Sequence, residues 1–437
     1  MKSNLRVAFF IFKLNTATMN KREFLRSLAL AGTGLPLLSM DLPSWIADLP
    51  EDQSQLHKDE DFWAKVRADY QLKPDYINLE SGYYNIIPQP TLDKLKEHIQ
   101  TVNYEGSYYM RTVQWENKAR MTRKLADLLG CETKNLVITR NTTESLDMII
   151  KGFPWEAGDE AVFALQDYGA MKDMFKQVST RYGVTLNTVS IPNHPKTDED
   201  IVGLYEKAIT PKTKLLMICH MINITGQILP VRKICDMAHS KGVQVMVDGA
   251  HCVGHFEYEI DQLNCDYYGS SLHKWLACPL GTGLLYVKDE HIDTVWPLLA
   301  ESPREKGDIA RLNHTGTHPV YHDLTIENAI DYHRMIGGKR KEDRLRYLQR
   351  YWSDQVRNHP GIVVNTPEDL ERSCAIANVG IEGMKPADMA KKLLSDHKIW
   401  TVAIDYANVH GCRITPNVFT STEELDNFVS ALKEMAG

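Results

Sequence analysis

Short apolar runs alternate with segments of helical periodicity along the chain from about residue 130 onward. The runs are nearly continuous in Val, Ile, Leu and Met, and capping or turn residues separate each run from the amphipathic segment behind it. Strands of that composition are typical of a parallel sheet whose two faces are both covered by helices. The pattern therefore predicts an α/β fold with a mainly parallel sheet.

Five of the runs are interpreted as strands of this sheet. They are KNLVITR (134–140), DEAVFAL (159–165), KLLMIC (214–219), VQVMVD (243–248) and CDYYGSS (265–271). A further strand, GLLYV (283–287), follows a glycine-bearing turn. Ligands of such sheets collect at the carboxyl ends of the strands, so we expect a binding site among the residues that follow the runs.

A change of composition marks the predicted domain boundary. The stretch SPREKGDIARLNHTGTHP (302–319) is polar and contains glycine. A long helical pattern (325–356) and a smaller region of mixed helix and strand character follow it, and the chain ends in a helix. We therefore predict a large domain over residues 60–310 and a small C-terminal α+β domain over residues 311–437.

The N-terminus has the composition of an export signal. The stretch 19–40 has a basic start, an apolar run and no acidic residue after Glu23, and it is too short to indicate a membrane span. The hexapeptide KREFLR (21–26) resembles the twin-arginine (Tat) motif, with lysine in place of the first arginine. We expect residues 1–45 to be an extension with a Tat-like signal and the protein to be periplasmic. The alternative is an amphipathic helix on a cytoplasmic protein.

Composition and charge exclude several classes of partner. The 437 residues are 24% charged and carry a formal net charge of -7, without a long basic run. Such a chain offers no surface for nucleic acid, or for an anionic membrane beyond the signal segment. The eight cysteines are scattered through apolar segments without CxxC pairs, which indicates buried free thiols.

Polar, ionisable and aromatic residues follow all five predicted strands. The first strand is followed by NTTE (141–144), which includes Thr142 and Thr143, at the start of a helix. Free backbone N–H groups there can bind an anion, although simple helix capping explains the same residues. The candidates at the other strand ends are Tyr168, His220, Asn223, Asp248, His251, Ser271, His273 and Lys274. Parallel strands bring these positions to one edge of the sheet.

Together these residues suit one kind of cofactor. A lysine can form a Schiff base with an aldehyde, and a carboxylate can hold a ring nitrogen protonated. A helix N-terminus can hold a phosphate, and an aromatic side chain can stack on a heterocycle. Pyridoxal phosphate (PLP) makes all of these demands at once. Lys274 and Asp248, which lie 26 residues apart, are the central members of the set.

Two motifs carry a resemblance to a known family. The stretches VDGAHCVGH (247–255) and SSLHKWLACPLGTGLLYV (270–287) resemble those of the class V aminotransferases, a family of fold-type I PLP enzymes. From residue 76 to the C-terminal helix, the chain is similar to the branch of isopenicillin N epimerase and cysteine desulfurase. The resemblance implies a mainly parallel seven-stranded sheet sandwiched by helices, a smaller C-terminal domain and a homodimer with shared active sites.

The resemblance also implies roles for single residues. Lys274 is expected to form the Schiff base and carry the α-proton, Asp248 to pair with the ring nitrogen and Tyr168 to stack on the ring. The other expected cofactor-binding residues are Thr142, Thr143, Asn223, His251, Ser271 and His273. Thr317 is expected to reach the phosphate of the neighbouring subunit. Arg413 is expected to bind the α-carboxylate of an amino acid, because a guanidinium suits a planar anion.

These roles predict a reaction at the α-carbon of an amino acid, by transamination or epimerisation. The alternatives are a PLP-dependent C–S or other β-lyase and a non-catalytic PLP-fold binding protein. Cysteine desulfurases carry a persulfide cysteine on a mobile loop, whereas the cysteine near Arg413 is its neighbour Cys412. Desulfuration through a persulfide is therefore disfavoured. Candidate substrate contacts are ESGYY (80–84), Tyr108, Tyr109 and Arg111.

Two histidine pairs with i, i+4 spacing raise a metal site as a competing interpretation. They are His251 with His255 and His314 with His318. Zinc hydrolases add a glutamate general base directly after the first histidine of such a pair. Neither pair has that glutamate, so we expect no catalytic metal.

Overall fold

The computed structural model of the chain describes residues 42–50, 52–299 and 304–437. The predicted Tat-like signal over residues 19–40 lies outside the described residues, and its export role stays a prediction. Within the described ranges, no helix is both long and apolar enough to cross a membrane.

The described residues form thirteen β-strands, the first of which is β1 (Ile77–Asn78). The next seven build the central sheet: β2 (Leu136–Thr139), β3 (Glu160–Ala164), β4 (Thr185–Val189), β5 (Thr213–Cys219), β6 (Gln244–Asp248), β7 (Tyr267–Ser271) and β8 (Gly283–Val287). Five strands follow: β9 (Ile362–Val364), β10 (Ala377–Ile381), β11 (Ile399–Trp400), β12 (Val402–Tyr406) and β13 (Val409–Ile414).

The central sheet has the strand order β2-β8-β7-β6-β5-β3-β4. Strand β8 is antiparallel to both of its neighbours, and the other six strands run in one direction. The prediction of a mainly parallel seven-stranded sheet is therefore confirmed. The carboxyl ends of the six parallel strands lie at the same edge of the sheet, where ligands of such folds bind.

Thirteen α-helices accompany the strands in the described part of the chain. They are α1 (Glu60–Arg67), α2 (Gln89–Glu105), α3 (Ser107–Thr112), α4 (Gln114–Leu129), α5 (Thr142–Gly152), α6 (Gly169–Tyr182), α7 (Asp198–Ala208), α8 (Val231–His239), α9 (Ile260–Leu263), α10 (Val320–Ile336), α11 (Gly338–Val356), α12 (Pro386–His397) and α13 (Thr422–Ala436). Short 3₁₀ helices cover Ser44–Asp48, Leu56–Lys58, Thr133–Asn135, Asp289–His291, Ile309–Asn313 and Leu370–Arg372.

Alternate residues of each central strand point to opposite faces of the sheet, and each face has its own helices. Leu216 and Val245 belong to a core with α4, α7, α8 and α10. Their neighbours Leu215 and Met246 belong to a second core with α5 and α6. Burying one such side chain contributes about 1.5–3 kcal/mol. Helices on both faces explain why these strands are nearly continuous in apolar residues.

A smaller antiparallel sheet, with the order β12-β13-β10-β9, forms the C-terminal part of the molecule. Helices α11, α12 and α13 pack on it around the buried side chains of Trp352 and Phe428. The N-terminal strand β1 pairs in parallel with β11. This α+β region agrees with the predicted C-terminal architecture, and a segment from before residue 80 is attached to it.

The segment before residue 72 packs against the body of the molecule. The indole of Trp45 is 1% exposed, and its Nε1 donates a hydrogen bond to Asp69 (2.8 Å). Its ring makes edge contacts with Phe62 and Tyr332 at centroid distances of 6.0 and 6.3 Å. The folded body therefore includes residue 45, and the predicted domain limits of 1–45, 60–310 and 311–437 stay predictions.

The long helical pattern predicted over residues 325–356 is two helices. Helix α10 ends and α11 begins at Gly337, whose φ is 87°. A backbone conformation in that region is disfavoured for residues with a Cβ, so the glycine permits the break.

Candidate active site

A cavity of about 280 Å³ opens at the carboxyl ends of the parallel strands of the central sheet. Residues from five of those strand ends and from the C-terminal sheet line it. Apart from Thr317, all of the predicted cofactor-binding residues line it, together with the predicted substrate residue Arg413: Thr142, Thr143, Tyr168, Asn223, Asp248, His251, Ser271, His273, Lys274 and Arg413. The strand-end candidate His220 does not.

Lys274 follows β7 and lines the cavity. Its Nζ donates a hydrogen bond to Nε2 of His251 (3.0 Å). Burial lowers the pKa of Lys274 to about 8, while Asp248 acts in the opposite direction and Arg413 lowers it further. An amine with this pKa is a better nucleophile near neutral pH than an ordinary lysine.

Stacking and hydrogen bonds to neighbouring residues fix the backbone of the loop that carries Lys274. The ring of the next residue, Trp275, stacks on His255 at a centroid distance of 3.7 Å. The buried ammonium of Lys341 donates to the Trp275 carbonyl (2.5 Å), and the Ala277 N–H donates to the Lys274 carbonyl (3.1 Å). These contacts fix the backbone from which the Lys274 amine projects, as a preorganised site requires.

His251 is buried beside Lys274, a contact that the sequence did not predict. Burial lowers the pKa of His251 well below its ordinary value, and the positive charge of Lys274 adds to that effect. The imidazole is therefore neutral near pH 7, and Nε2 is the acceptor in its hydrogen bond with Lys274. Its role as a cofactor-binding residue remains an expectation from the resemblance.

Asp248 ends β6 and is 4% exposed. One of its oxygens accepts a hydrogen bond from the Ala250 N–H (2.9 Å). Burial raises the pKa of Asp248, while that hydrogen bond and Lys274 act in the opposite direction. A protonated ring nitrogen beside this carboxylate would supply a closer counter-charge and favour its ionised form.

The start of α5 forms the anion cradle that the sequence suggested. Asn141 caps the helix, because its Oδ1 accepts from the Glu144 N–H (2.9 Å). The Thr142 N–H donates to Ser271 Oγ (3.0 Å), and the two hydroxyl oxygens lie 2.8 Å apart. A Cβ on Gly283 would lie 2.6 Å from Asn141 Cα, so a glycine is required where β8 passes the helix start. The cap therefore leaves this helix start able to bind an anion, as the sequence suggested.

Tyr168, Asn223 and His273 line three other sides of the cavity. Tyr168 precedes α6 with 45% of its surface exposed, so its ring is available for stacking. The Asn223 carbonyl accepts from Nη1 of Arg413 (3.3 Å). The pKa of His273 is lowered to about 4, mainly by burial, so its imidazole is neutral near pH 7.

Arg413 lies on β13 and reaches the cavity from the C-terminal sheet. Its guanidinium donates to both carboxylate oxygens of Glu80, from Nε (3.1 Å) and from Nη2 (2.5 Å). The sequence named Glu80 as a candidate substrate contact, but nothing in its pattern indicated this pairing across 333 residues. Gly82 and Tyr83 also line the cavity.

Several predicted residues lie outside this cavity. Thr317 is exposed, and its expected role at the phosphate of a neighbouring subunit stays a prediction. Tyr108 is 66% exposed, Tyr109 is buried with its hydroxyl near Asn117 (3.1 Å), and Arg111 is exposed. The structure therefore does not bring Tyr108, Tyr109 and Arg111 into the cavity of their own chain.

The cysteines are free, and seven of the eight are buried. Cys412 is fully buried in β13, where its thiol faces the Pro386 carbonyl (3.7 Å). Burial raises the pKa of Cys412 to about 11. The expectation that Cys412 is buried with its strand is confirmed, and Cys131 is the half-buried exception among the eight.

The histidines of the two spaced pairs have other partners. Nδ1 of His255 lies 2.8 Å from the His251 carbonyl, and its Nε2 accepts from the Ala375 N–H (3.0 Å). Nε2 of His318 lies 2.9 Å from Asp323. In the described ranges, the clustered possible metal ligands are Asp266, Glu290 and His291, which do not line the cavity.

The residues of the cavity fit PLP. The buried Asp248 carboxylate suits a cationic ring nitrogen, the cradle at Thr142 and Ser271 suits a phosphate, and Lys274 suits an aldehyde. Nδ1 of His251 is buried without a hydrogen-bond partner in the described part of the chain. Buried polar atoms are normally satisfied, and a polar ligand in the cavity would supply a partner for this one.

Three comparisons agree with this interpretation. The family described as aminotransferase class-V matches residues 85–403. Isopenicillin N epimerase of Streptomyces clavuligerus is 25% identical over 398 residues, which cover 86% of this chain and 98% of that protein. A probable cysteine desulfurase of Halalkalibacterium halodurans is 25% identical over 339 residues, which cover 73% of this chain and 81% of that protein.

Solved structures share the fold. The apo cysteine desulfurase of Thermococcus onnurineus NA1 superposes with a TM-score of 0.76 at 21% identity, over 92% of this chain and 99% of that one. The matched family range contains both motifs on which the resemblance rested, around Asp248 and Lys274. The chain therefore belongs to the class V aminotransferase family, and pyridoxal phosphate is its cofactor.

Proposed function

We propose that the protein moves a proton at the amine-bearing carbon of an amino acid, with epimerisation or transamination as the net reaction. One observation carries the proposal: the Lys274 amine, the Asp248 carboxylate and the Arg413 guanidinium line a single cavity. When bound, PLP supplies an aldehyde that captures the substrate amine and a ring that takes up the electrons of the broken C–H bond.

Different side chains of the site keep the ring nitrogen protonated, orient the substrate and transfer the α-proton. Asp248 holds a proton on the ring nitrogen by its negative charge, and Arg413 orients the substrate through its carboxylate. The free amine of Lys274 takes the α-proton as a general base. The hydrogen bond between Nζ and the neutral His251, 3.0 Å long, directs that amine.

The two net reactions share this first proton transfer. Return of the proton to the opposite side of the α-carbon gives epimerisation, and its return to the cofactor gives transamination. The cavity residues serve both outcomes, so the proposal covers them together. The similarity to isopenicillin N epimerase, over 86% of this chain and 98% of that protein, supports the inclusion of epimerisation in the proposal.

The cysteines of the site do not support desulfuration through a persulfide. The thiolate is the nucleophile in that reaction, and burial raises the pKa of Cys412 to about 11. Cys219 lines the cavity, but burial and the nearby carboxylates of Asp167 and Asp248 raise its pKa well above the ordinary value. Neither thiol is poised to accept a sulfur atom.

The test is an amino-acid panel in deuterated water with the PLP-loaded protein. Exchange of the α-proton, keto-acid release, change of chirality and sulfide release are measured together. We expect α-proton exchange, accompanied by either racemised product or keto acid. Lys274→Ala should lower the exchange rate by roughly 10³-fold or more, since it removes the general base and the covalent anchor. The matched control is Lys176→Ala, which alters an exposed lysine.

Two outcomes would contradict the proposal. Sulfide release from cysteine, with pyruvate or alanine as the carbon product and no racemisation or keto acid from the other members of the panel, would identify a lyase. Loaded protein that exchanges no α-proton with any member of the panel would identify a binding protein.

We also propose that two copies of the chain associate and share their sites. Three aromatic side chains on α2, α3 and α4 are exposed: Tyr104 (91%), Tyr108 (66%) and Trp115 (61%). Exposed apolar groups of this size are typical of protein interfaces. Thr317 is also exposed outside its own cavity, as a residue that serves the neighbouring site must be.

Export through the Tat-like signal is proposed from the sequence of residues 19–40 alone. Because Trp45 is part of the buried core, we expect any cleavage to occur before that residue. Cell fractionation and mass measurement of the N-terminus test this. Protein found only in the cytoplasm with residues 19–45 intact would contradict export.

A further inference from the structure

Arg413, the residue expected to bind the carboxylate of an amino acid, lines the cavity, and the side chain of Glu80 pairs with it. Both side chains are buried, at 7% and 4% exposure for Arg413 and Glu80. The contact is bidentate, because Nε and Nη2 donate to the two oxygens at 3.1 and 2.5 Å. An internal carboxylate therefore already holds one edge of the residue expected to bind the substrate carboxylate.

The N–H groups of Arg413 that make no hydrogen bond within the chain are available to a ligand. A guanidinium has five N–H groups. Two point to Glu80, and one on Nη1 points to the Asn223 carbonyl at 3.3 Å. The remaining two, one on each Nη atom, have no acceptor in the described part of the chain. These two N–H groups are available to donate hydrogen bonds to an anion.

Glu80 is a fixed part of the site. Its Oε1 also accepts from the Tyr83 N–H (2.9 Å), and its own N–H donates to the Asn78 side chain (3.1 Å). Gly82 lets this segment pass close to the guanidinium, because a Cβ there would lie 3.0 Å from Arg413 Cζ. Backbone and side chain thus hold the carboxylate in place.

This arrangement changes the electrostatics of substrate choice. In a cavity with a lone buried arginine, a substrate without a carboxylate leaves an uncompensated charge, which is strongly destabilising. Glu80 compensates Arg413 whether or not a substrate carboxylate is present. It also repels that carboxylate, since both groups carry negative charge within one buried site.

We propose that Glu80 determines specificity by making the substrate carboxylate dispensable. On this basis the site takes primary amines that lack an α-carboxylate as well as amino acids. The inference rests on the proposed function, because it concerns the substrate class of the same proton transfer.

The test compares matched pairs, such as L-phenylalanine with phenethylamine and L-lysine with cadaverine, on the PLP-loaded protein. Binding is followed by the change in cofactor absorbance, and chemistry by exchange of the proton on the amine-bearing carbon. We expect the amine of a pair to bind within roughly tenfold of the amino acid, because Glu80 already neutralises Arg413. Amines that bind at least 10³-fold more weakly in every pair would overturn the proposal.

The variant Glu80→Gln removes the charge and the hydrogen bond from Nε of Arg413. An amide oxygen at the position of Oε1 can still accept from the Tyr83 N–H and from Nη2 of Arg413. The variant should shift the preference toward the amino acid by at least about tenfold in kcat/KM, since it exposes a full positive charge to the carboxylate. A preference that stays within about twofold of the wild-type value would overturn the proposal.

The matched control is Glu60→Gln. Glu60 also pairs with a buried arginine, Arg344, at 2.5 Å, but outside the cavity, so its loss should leave the preference unchanged. The wild-type comparison of amines with amino acids stands even where a variant does not fold. Failure of the proposed function is distinguishable, because neither member of any pair would then undergo proton exchange.

Discussion

The negative charge of the Asp248 carboxylate is expected to have a role that an isosteric amide cannot replace. Asp248→Asn keeps the shape of the side chain but removes the charge that holds a ring nitrogen protonated. We expect kcat to fall by roughly 10²–10³-fold, the size typical of removing one preorganised group from an active site. Steady-state kinetics on the loaded variant measure it. A fall in kcat of less than about threefold would contradict the proposed role of the Asp248 carboxylate at the ring nitrogen.

The amine of Lys274 gives a prediction about pH. Its pKa is lowered to about 8 in the apoprotein, so it is protonated and unreactive below that pH and a neutral nucleophile above it. The rate at which the apoprotein captures PLP should therefore rise from pH 6 to pH 9, with a midpoint near 8. Stopped-flow absorbance measures the rate.

A second variant checks the sign of this effect. Because Asp248 raises the pKa of Lys274, Asp248→Asn should move the midpoint to lower pH. A midpoint near 10, the range of an ordinary exposed lysine, would show that burial does not control the amine.

The sequence correctly predicted that most of the strand-end candidate residues come together in the cavity. The strand-end positions placed Asp248, Ser271 and Lys274 together, because parallel strands bring their ends to one edge. The partner of Arg413 could not be predicted in this way. Glu80 lies 333 residues away, and no periodicity or motif links two such distant side chains.

At the scale of elements, the passage of β8 beside α5 shapes the anion cradle. Gly283→Ala would place a Cβ 2.6 Å from Asn141 Cα, so the strand or the helix start must move. We expect a loss of about 1–3 kcal/mol in the free energy of unfolding, the usual cost of overpacking. Affinity for PLP should fall as well, because the helix start that faces the phosphate is displaced.

The control for this prediction is Gly203→Ala. Gly203 lies within α7, where an added Cβ meets nothing within 4 Å, so the variant should gain about 0.4–1 kcal/mol. Chemical denaturation and PLP titration compare the two variants. Equal stability of Gly283→Ala and the wild type would contradict the close approach of β8 and α5.

The elements that the sequence missed have weak patterns. Strand β4 lies at the edge of the sheet, and four of its five residues are not buried, so it lacks the apolar run that marked the interior strands. The periodicity of the apolar residues predicts one helix over the whole of α10 and α11, because it continues through their junction. Gly337 breaks the helix with a backbone angle that the apolar pattern does not encode.

At the scale of the whole molecule, mixing two inactive variants tests the proposed sharing of sites. Thr317→Glu places a negative charge where a phosphate is expected, and Lys274→Ala removes the amine. If Thr317 serves the neighbouring site, each variant alone is inactive, but a mixed dimer has one intact site. Statistical mixing should restore about a quarter of the wild-type activity. Light scattering checks the oligomeric state.

The control mixes Lys274→Ala with wild-type protein, which gives only the activity of the intact sites. Full activity of Thr317→Glu by itself would contradict a role for Thr317 at any site. An inactive mixture of confirmed mixed dimers would show that each chain completes its own site.

The Glu80–Arg413 pair has a consequence for the order in which the protein acquires its parts during synthesis. The predicted cofactor-binding residues that line the cavity lie between Thr142 and Lys274 and are all synthesised well before Arg413. The pair that we propose to select the substrate joins Glu80, made early, to Arg413, made almost last. A nascent chain therefore contains the residues expected to hold PLP well before it contains the complete Glu80–Arg413 pair that we propose to determine substrate specificity.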